Sequence, residues 1–324
     1  MDPSSLLVEN PSQSFEQAAL KVFEYQYENC LPYRVFCDHL KRNPAKVSAV
    51  EEIPFLPVSL FKDHKIIAKG QQAELTFRSS GTTGSMPSTH HVGQAKLYER
   101  AFTIGFETAY GSLKDYVVLG LLPSYLERDD ASLVYMVNHW IEDSGQAESG
   151  FYLDDLHGLR RLIEKLEKSQ RKYLLIGVSF ALLDLADLGP LPIRHGIVME
   201  TGGMKGRRKE LIRADLHTEL QKAFGPIAIH SEYGMTELLS QAYSKGDGLF
   251  RTPPWMKVLT RQPNDPFHYI EGQTGGVSII DLANYYSCSF IATQDLGKIH
   301  PDGSFEILGR FDQSELRGCN LMVY

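Results

Sequence analysis

Apolar residues recur at helical spacing near the start of the chain. Over residues 14–30 they stand at positions 15, 18, 19, 22, 23 and 27, which is the spacing of an amphipathic helix that packs on a core. Ser14 and Gln17 have the residue types and separation of a capping box at the first turn of this helix. The pattern predicts packing at this end of the chain and no chemistry.

Further along, short apolar runs alternate with helical patterns. The runs predicted as buried strands cover residues 116–122, 173–178, 196–199 and 227–229. The helical patterns cover residues 98–109, 154–169 and 209–224. This alternation predicts an α/β fold with a largely parallel sheet. Ligands of such sheets bind at the carboxyl ends of the strands, so we expect chemistry in the turns at residues 123–126, 200–206 and 230–237.

Changes in the type of predicted secondary structure along the chain suggest a division into three parts. Residues 1–70 form a helical and extended segment, in which Pro54 and Pro57 favour an extended apolar stretch over residues 53–62. Residues 71–270 form the α/β core. Residues 271–324 form a small β-rich subdomain, with short strands predicted at 276–280, 289–293 and 304–308.

Composition narrows the class of protein. The 324 residues are 43% hydrophobic and 23% charged, as in soluble globular proteins. A net charge of −7 without a concentrated Lys/Arg tract argues against nucleic acid or anionic membranes as partners. We expect a cytoplasmic protein without a membrane span, because the chain shows neither a secretory signal nor 18 consecutive apolar residues. Reduced thiols are expected at Cys30, Cys37, Cys288 and Cys319.

The polar stretch at residues 77–88 is the first candidate for chemistry. It is rich in Gly, Ser and Thr and carries no acidic residue. Glycines let the backbone approach an anion, and successive N–H and hydroxyl groups supply donors to it. A phosphate-binding loop is therefore one interpretation, and a polar surface linker is an equally good one on composition alone.

Other polar residues supply the remaining parts of a nucleoside triphosphate site. Tyr233 offers a ring for stacking, Thr236 a hydroxyl and Glu237 a carboxylate of the kind that binds Mg²⁺. Asp295 can accept hydrogen bonds from ribose hydroxyls, and Arg310 adds a positive charge. Each residue alone is more typical of a structural role. The common GxxxxGK[ST] and GxGxxG nucleotide motifs are absent, as are HExxH and GxSxG.

Four of these segments, in this order, resemble motifs of the adenylate-forming superfamily. They are Ser79-Ser80-Gly81-Thr82-Thr83-Gly84, Tyr233-Gly234-Met235-Thr236-Glu237, Thr293-Gln294-Asp295, and Gly309-Arg310-Phe311-Asp312 with Arg317-Gly318. Within that superfamily the chain resembles the LuxE-like acyl-protein synthetases. That likeness is carried by IPFLPVSLFK at residues 53–62, LLPSYLER at 121–128 and RGCNLM at 317–322.

The resemblance implies the large N-terminal domain of the adenylate-forming fold and a two-step ligase. A carboxylic acid, fatty or aromatic, would react with ATP and Mg²⁺ to give acyl-AMP, and a thiol would then take the acyl group. Cys319 stands in the position of the acceptor cysteine of the luminescence enzymes. Those enzymes work with an acyl-transferase and a reductase, so such partners, or an acyl-carrier protein, are expectations for this chain too.

The same resemblance assigns roles to residues. The phosphates would be held by Ser79, Ser80, Gly81, Thr82, Thr83 and Gly84. The adenine pocket would be formed by Glu200, Gly202, Gly203, Tyr233 and Gly234. Thr236 would contact the α-phosphate, Glu237 would bind Mg²⁺, and Asp295 with Arg310 would hold the ribose. Independently of the resemblance, the apolar and aromatic residues around Tyr125, Tyr135, Met136, His139 and Trp140 could line an acyl pocket, and they would serve equally well as core residues.

The chain also departs from the family pattern. Ser88 replaces the lysine that commonly ends the phosphate loop, and the sequence ends at Tyr324, so we expect the mobile C-terminal domain and its adenylation lysine to be absent or truncated. Lys205 or Arg207 is a candidate replacement for that lysine. Two alternatives remain open: an acyl- or aryl-CoA ligase of the phenylacetate-CoA ligase type, and a nucleotide-binding subunit with reduced catalysis.

Overall fold

The computed structural model describes residues 2–7, 13–79, 86–122, 130–153, 155–202, 208 and 211–310. The helices are α1 (Phe15–Asn29), α2 (Leu31–His39), α3 (Leu60–Asp63), α4 (Ala95–Tyr110), α5 (Ser132–Ser144), α6 (Leu156–Lys168), α7 (Ser179–Ala186) and α8 (Arg213–Phe224). Short 3-10 helices lie at Pro3–Leu7, Pro44–Lys46, Val50–Glu52, Leu113–Asp115 and Leu282–Asn284.

The strands, in chain order, are β1 (Leu56–Pro57), β2 (Leu75–Arg78), β3 (Thr89–Val92), β4 (Val117–Leu121), β5 (Gly150–Phe151), β6 (Tyr173–Gly177), β7 (Gly196–Glu200), β8 (Ile229–Tyr233), β9 (Ala242–Ser244), β10 (Phe250–Arg251), β11 (Met256–Gln262), β12 (Asp265–Tyr269), β13 (Gly275–Asp281), β14 (Phe290–Ile299) and β15 (Phe305–Arg310).

One large mixed sheet organises the described residues. Its order is β12-β11-β13-β14-β15-β10-β9-β8-β7-β6-β4-β5, and β1 adds to β14 as a thirteenth, parallel strand. The five strands from β5 to β8 are parallel, whereas the strands from β9 to β12 pair in antiparallel fashion. β2 and β3 form a separate antiparallel hairpin.

The parallel half is the centre of the core. Every residue of β4 and β6 is buried, as expected for strands covered on both faces. Leu119, Leu175 and Val198 are neighbours across β4, β6 and β7, so the apolar runs in the sequence meet side by side.

The N-terminal helices pack on the opposite half of the sheet. α1 begins at the predicted capping box, in which Ser14 and Gln17 bond reciprocally. On its buried face, Gln26 donates to the carbonyl oxygens of Asn284 and Tyr285 at 3.0 and 2.9 Å. Since Asn284 also donates to the Glu237 carbonyl, α1 helps to hold the backbone at one of the predicted site residues.

The α/β fold class is confirmed, with corrections to particular elements. The runs predicted as parallel strands pair in parallel as β4, β6, β7 and β8, whereas among the described strands of the other half only β1 pairs in parallel, with β14. The strand predicted at 227–229 instead runs from Ile229 to Tyr233, and half of the expected turn at 230–237 is therefore strand. Glu200 is the last residue of β7 and not part of a turn. The extended stretch predicted over 53–62 ends early, because α3 begins at Leu60.

The strands of residues 275–310 continue the same sheet as those of residues 117–233. The proposed division of the chain at residues 70 and 270 stays a prediction. Among the described residues, none of the helices has both the length and the apolar character needed to cross a bilayer.

Candidate active site

Three predicted ribose and adenine residues meet where β8, β14 and β15 lie close together. The Tyr233 hydroxyl donates a hydrogen bond to Asp295 Oδ2 at 2.7 Å. Arg310 Nε donates to Asp295 Oδ1 at 3.0 Å, because Asp295 and Arg310 stand opposite each other in the β14–β15 register. Both oxygens of the buried Asp295 carboxylate are thus held in place from two sides.

The Tyr233 ring is fixed by two aromatic neighbours. Phe250 and Phe305 both pack edge-on with it, with ring centroids 5.8 Å away. Burial and the Asp295 charge raise the pKa of the Tyr233 phenol well above its usual value. The hydroxyl therefore stays protonated and acts as a donor to Asp295.

The predicted magnesium ligand is buried and has a hydroxyl partner. Ser88 Oγ donates to Glu237 Oε1 in a short hydrogen bond. Burial raises the pKa of Glu237, and the Ser88 hydrogen bond opposes that shift. The described residues contain no group of three or more His, Cys, Asp or Glu suited to a metal ion. A single carboxylate still fits Mg²⁺, which often takes one or two protein carboxylates and completes its shell with phosphates and water.

The predicted phosphate loop joins β2 to β3, and the structure describes its two ends. Ser79 N–H donates to the Ser88 carbonyl at 3.0 Å, and Ser88 N–H donates to Ser79 Oγ at 3.0 Å. These bonds close the base of the loop next to Glu237. The two described ends of the loop therefore lie beside the turn that carries Glu237.

A buried histidine fixes the backbone on which Thr236 and Glu237 stand. His90 Nδ1 donates to the Thr236 carbonyl at 2.8 Å, and its Nε2 lies 3.0 Å from Asn284 Oδ1. Asn284 Nδ2 in turn donates to the Glu237 carbonyl at 2.7 Å. Burial lowers the pKa of His90 to about 4, so this link does not titrate near neutral pH.

Glu200 is ionised and engaged with the protein. Its Oε1 accepts from Arg213 Nε at 3.0 Å and lies 3.7 Å from His217 Nε2, and its Oε2 accepts from Gly202 N–H at 2.9 Å. Burial would raise the pKa of this carboxyl, but the His217 and Arg213 contacts, with smaller effects of Ser231 and Gly202, lower it to about 2. Glu200 thus shapes the predicted adenine pocket through Arg213 and Gly202.

A cavity of about 960 Å³ opens beside this group. Glu200, Gly202 and Arg213 line one side, and residues 306–309 of β15, next to Arg310, line the other. Two predicted adenine residues therefore border a space large enough for a nucleotide. Arg213 also donates to the Ile307 carbonyl at 3.2 Å and lies over the Phe250 ring, so it joins both walls of the cavity to the ring that supports Tyr233.

Solved structures share this arrangement of strands and helices. ATP-bound MatB from Rhodopseudomonas palustris is 19% identical, with a TM-score of 0.55 over 75% of this chain and 49% of that chain. A 2-hydroxyisobutyryl-CoA ligase, solved with 2-HIB-AMP and CoA, is 14% identical, with a TM-score of 0.60 over 95% of this chain and 74% of that chain. The chain has the fold of the adenylate-forming enzymes. It spans about half the length of the MatB structure.

The comparison of sequences supports a narrower likeness. A model of the family "Acyl-protein synthetase, LuxE" matches residues 1–107. The predicted resemblance to LuxE-like members of the adenylate-forming superfamily is thereby confirmed for the part of the chain that contains α1–α3, the β2–β3 hairpin and most of α4. No curated protein matches the sequence.

Several predicted site residues of this adenylate-forming fold lie outside the described residues. They are Ser80, Gly81, Thr82, Thr83, Gly84, Gly203, Lys205, Arg207, Tyr125 and Cys319. Their roles stay predictions. Of the other expected acyl-pocket residues, Met136 and Trp140 are buried, while Tyr135 and His139 are partly buried on the same helix, α5.

Sequence reasoning missed four residues that hold the site together. His90 and Asn284 support Thr236 and Glu237, Arg213 supports Glu200, and Ser88 donates to Glu237. His90 shows no metal-ligand spacing in the sequence, and such a histidine is more typical of a packing residue. Ser88 and His90 could have been found from their position directly after the Gly/Ser/Thr loop, because a hairpin brings such residues back to the base of the loop.

Proposed function

We propose that this protein is an ATP-dependent ligase that activates a carboxylic acid as acyl-AMP and passes the acyl group to a thiol. The observation that carries the proposal is the convergence of Tyr233, Asp295 and Arg310 beside Glu237 and the 960 Å³ cavity. The adenylate-forming fold favours this proposal over nucleotide binding alone, because similar structures are solved with ATP or an acyl-AMP.

Within this proposal each part of the nucleotide is bound by a different group of the predicted site residues. Asp295 is oriented by Tyr233 and Arg310 as an acceptor for ribose hydroxyls, and Thr236 faces the α-phosphate. Glu200, Gly202, Gly203 and Gly234 border the adenine, with the Tyr233 ring against the base. The phosphates are held by Ser79, Ser80, Gly81, Thr82, Thr83 and Gly84.

The first step needs positioning and charge neutralisation more than a protein nucleophile. A carboxylate oxygen of the substrate attacks the α-phosphorus in line, and the bond to the pyrophosphate oxygen breaks. The donors predicted in the Gly/Ser/Thr loop, together with the Arg310 charge, would stabilise the charge that develops on the phosphates. Mg²⁺ bound at Glu237 would neutralise phosphate charge, and Ser88 orients that carboxylate.

In the second step a thiolate attacks the acyl carbon, and AMP leaves with the electron pair of the broken C–O bond. We assign the thiol to Cys319 of this chain, next to Arg317, whose charge would favour the thiolate. The LuxE-like part of the chain is the basis for proposing a long-chain fatty acid as substrate. On the same basis the proposed partner is an acyl-transferase, a reductase or an acyl carrier.

The test is ATP–pyrophosphate exchange with aromatic, short-chain and long-chain acids, followed by a gel for acyl label on the protein. Exchange with at least one acid, and a hydroxylamine-sensitive label, support the proposal. Cys319→Ser should retain exchange and lose the label, and Cys30→Ser should lose neither, because Cys30 is buried. ATP binding without exchange for any acid would contradict the ligase and favour the reduced nucleotide-binding subunit.

Coenzyme A is the second candidate acceptor. The similarity to the 2-hydroxyisobutyryl-CoA ligase, solved with CoA, extends over 95% of this chain. Under this alternative, added CoA releases acyl-CoA and the protein carries no label. Running the exchange reaction with and without CoA separates the two acceptors.

A further inference from the structure

Glu232 is a buried carboxyl at the end of β8 that the proposed nucleotide chemistry leaves without a role. It is only 8% exposed. Successive side chains of a strand point to opposite faces. Because Tyr233 faces Asp295, Glu232 faces the other side of β8, toward Thr201 and the cross-strand residue Tyr243.

The hydrogen bonding of Glu232 is incomplete. Thr201 Oγ1 donates to Oε2 at 2.5 Å, and Oε1 lies against Gly234, where it occupies the space of an absent side chain. Among the described residues, no cation and no second donor contacts this carboxyl. Buried carboxylates ordinarily have such partners, because an unpaired buried charge is costly.

Asp281 is a structural carboxylate in the same protein, and its hydrogen bonds provide a comparison with those of Glu232. It is fully buried and accepts from Leu239 N–H, Ser240 N–H, Ser240 Oγ and Ala283 N–H, at 2.8, 3.0, 2.6 and 3.2 Å. Glu232 has one donor where Asp281 has four. Packing alone therefore accounts for Asp281 and does not account for Glu232.

A second polar group on the same face of the sheet is also unsatisfied. Tyr243 pairs directly with Glu232 across the β8–β9 register, so both side chains project to one face. Tyr243 is 5% exposed, and its Oη has no hydrogen-bond partner within the described part of the chain. Two neighbouring polar groups with incomplete hydrogen bonding are the feature expected where a ligand supplies the missing bonds.

Glu232 also contacts residues adjacent in sequence to the predicted nucleotide-site residues. Thr201, its donor, stands between Glu200 and Gly202 at the end of β7, and Gly234, against which its Oε1 lies, begins the turn that carries Thr236 and Glu237. A group on the α-phosphate side of this turn is therefore close to Glu232. The acid to be activated must approach the α-phosphate in this region.

We propose that Glu232 accepts a hydrogen bond from a hydroxyl or amino group on the acid substrate, so that a fatty or aromatic acid bearing such a donor is preferred over its unsubstituted counterpart. This inference rests on the proposed ligase function and makes its substrate class specific. Burial raises the pKa of Glu232 to about 7, Thr201 opposes the shift, and the Glu200 charge adds to it. The carboxyl is thus present in both protonation states near neutral pH, and a cationic donor favours the ionised one.

The experiment compares matched acids in the ATP–pyrophosphate exchange assay: hexanoate, ω-hydroxyhexanoate and ω-aminohexanoate, butyrate with its β-hydroxy and γ-amino forms, and benzoate with its para-hydroxy and para-amino forms. In the wild type we expect kcat/KM at least about tenfold higher for one donor-bearing acid than for its unsubstituted partner. Glu232→Leu should abolish this preference. Glu232→Gln should keep a preference for hydroxyl and lose one for ammonium, and Glu219→Gln, an exposed carboxyl on α8, should change neither.

The outcomes separate the two proposals. Exchange that is fastest with unsubstituted acids, or a preference unchanged in Glu232→Leu, overturns the role of Glu232 and leaves the ligase intact. Exchange with no acid overturns both. If Glu232→Leu does not fold, as judged by its melting curve, the hydroxyl-to-ammonium ratio in Glu232→Gln decides the question, and an unchanged ratio contradicts the inference.

Discussion

The Ser88 hydroxyl donates a hydrogen bond to the Glu237 carboxylate across 149 positions of sequence. The resemblance to adenylate-forming enzymes places a phosphate-loop lysine where this serine stands. At this position a hydroxyl donor, which orients the proposed magnesium ligand, therefore stands in place of a positive charge that would act on the phosphates. Both side chains are buried, so the bond contributes to stability as well as to orientation.

Ser88→Ala should destabilise the protein by about 1–3 kcal/mol, because a buried carboxylate loses its donor. The same change should raise the pKa of Glu237 further, since burial already raises it and Ser88 opposes that shift. We expect the pH at half-maximal exchange activity to move upward. Urea unfolding and a pH profile measure the two effects. Ser112→Ala, at an exposed serine without a side-chain cap bond, is the control, and equal behaviour of the two variants would contradict the prediction.

Glu237→Gln tests the proposed metal ligand without disturbing the packing. The amide oxygen can still accept from Ser88, so the melting temperature should change little. The exchange rate should fall by about 10² or more, because the carboxylate that would hold Mg²⁺ at the phosphates is lost. In a titration of exchange activity with Mg²⁺, the variant should need a higher Mg²⁺ concentration than the wild type to reach half of its maximal activity. Activity within twofold of the wild type would remove Glu237 from the site.

Arg310→Ala should weaken ATP binding about tenfold or more, because it removes a charge-assisted hydrogen bond to Asp295 together with a positive charge near the phosphates. Arg310→Lys restores the charge without the guanidinium geometry. Its affinity for ATP should therefore lie between those of the wild type and Arg310→Ala. Isothermal titration with ATP provides the dissociation constants. Arg251→Ala, which removes an exposed ion pair with Asp302, is the matched control and should bind ATP normally.

Local patterns predicted the parts of the fold in which one segment determines its own structure. The capping box of α1 and the buried β4 and β6 were found because helical spacing and continuous apolar runs depend on neighbouring residues alone. The end of β8 was misplaced because His230, Ser231 and Glu232 are polar. Their partners come from other elements: the Tyr110 hydroxyl lies 3.1 Å from His230 Nδ1, His217 Nε2 lies 3.4 Å from Ser231 Oγ, and Thr201 donates to Glu232.

The candidate site was predicted as a set of residue types, and its internal contacts were not. Tyr233, Asp295 and Arg310 could be named from motifs, yet the bonds that join them depend on the β14–β15 register. The partners Arg213 and Asn284 carry no local signal, since their role is set by residues far away in the sequence. Glu232 shows the same limit, because its polarity is visible in the sequence and its missing partners are not.

Stability should depend on pH through Glu232. In the folded protein its pKa is about 7, whereas an unfolded glutamate has a pKa of about 4.3. Between these values the folded chain holds more protons than the unfolded chain, so the free energy of unfolding should fall as pH rises through this window. Relative to Glu232→Gln, the wild type should lose up to about 3 kcal/mol between pH 4 and pH 8. Urea unfolding at intervals of pH measures the difference, and parallel curves for the two proteins would contradict it.

Gly234 provides a geometric test of the same carboxyl. A Cβ at this position would collide with Glu232 Oε1 and would touch Gln241 Cγ at 3.4 Å. Gly234→Ala should therefore push the carboxyl off Thr201 and cost about 1–3 kcal/mol of stability. In a Glu232→Ala background the collision partner is absent, so the same substitution should cost much less. A double-mutant cycle by urea unfolding gives this coupling, expected at about 1 kcal/mol or more. Gly145→Ala, where a Cβ meets no atom within 4 Å and only the positive φ of 61° opposes it, should show no coupling to Glu232. Equal costs for Gly234→Ala in both backgrounds would show that the glycine serves the backbone of the turn and not the carboxyl beside it.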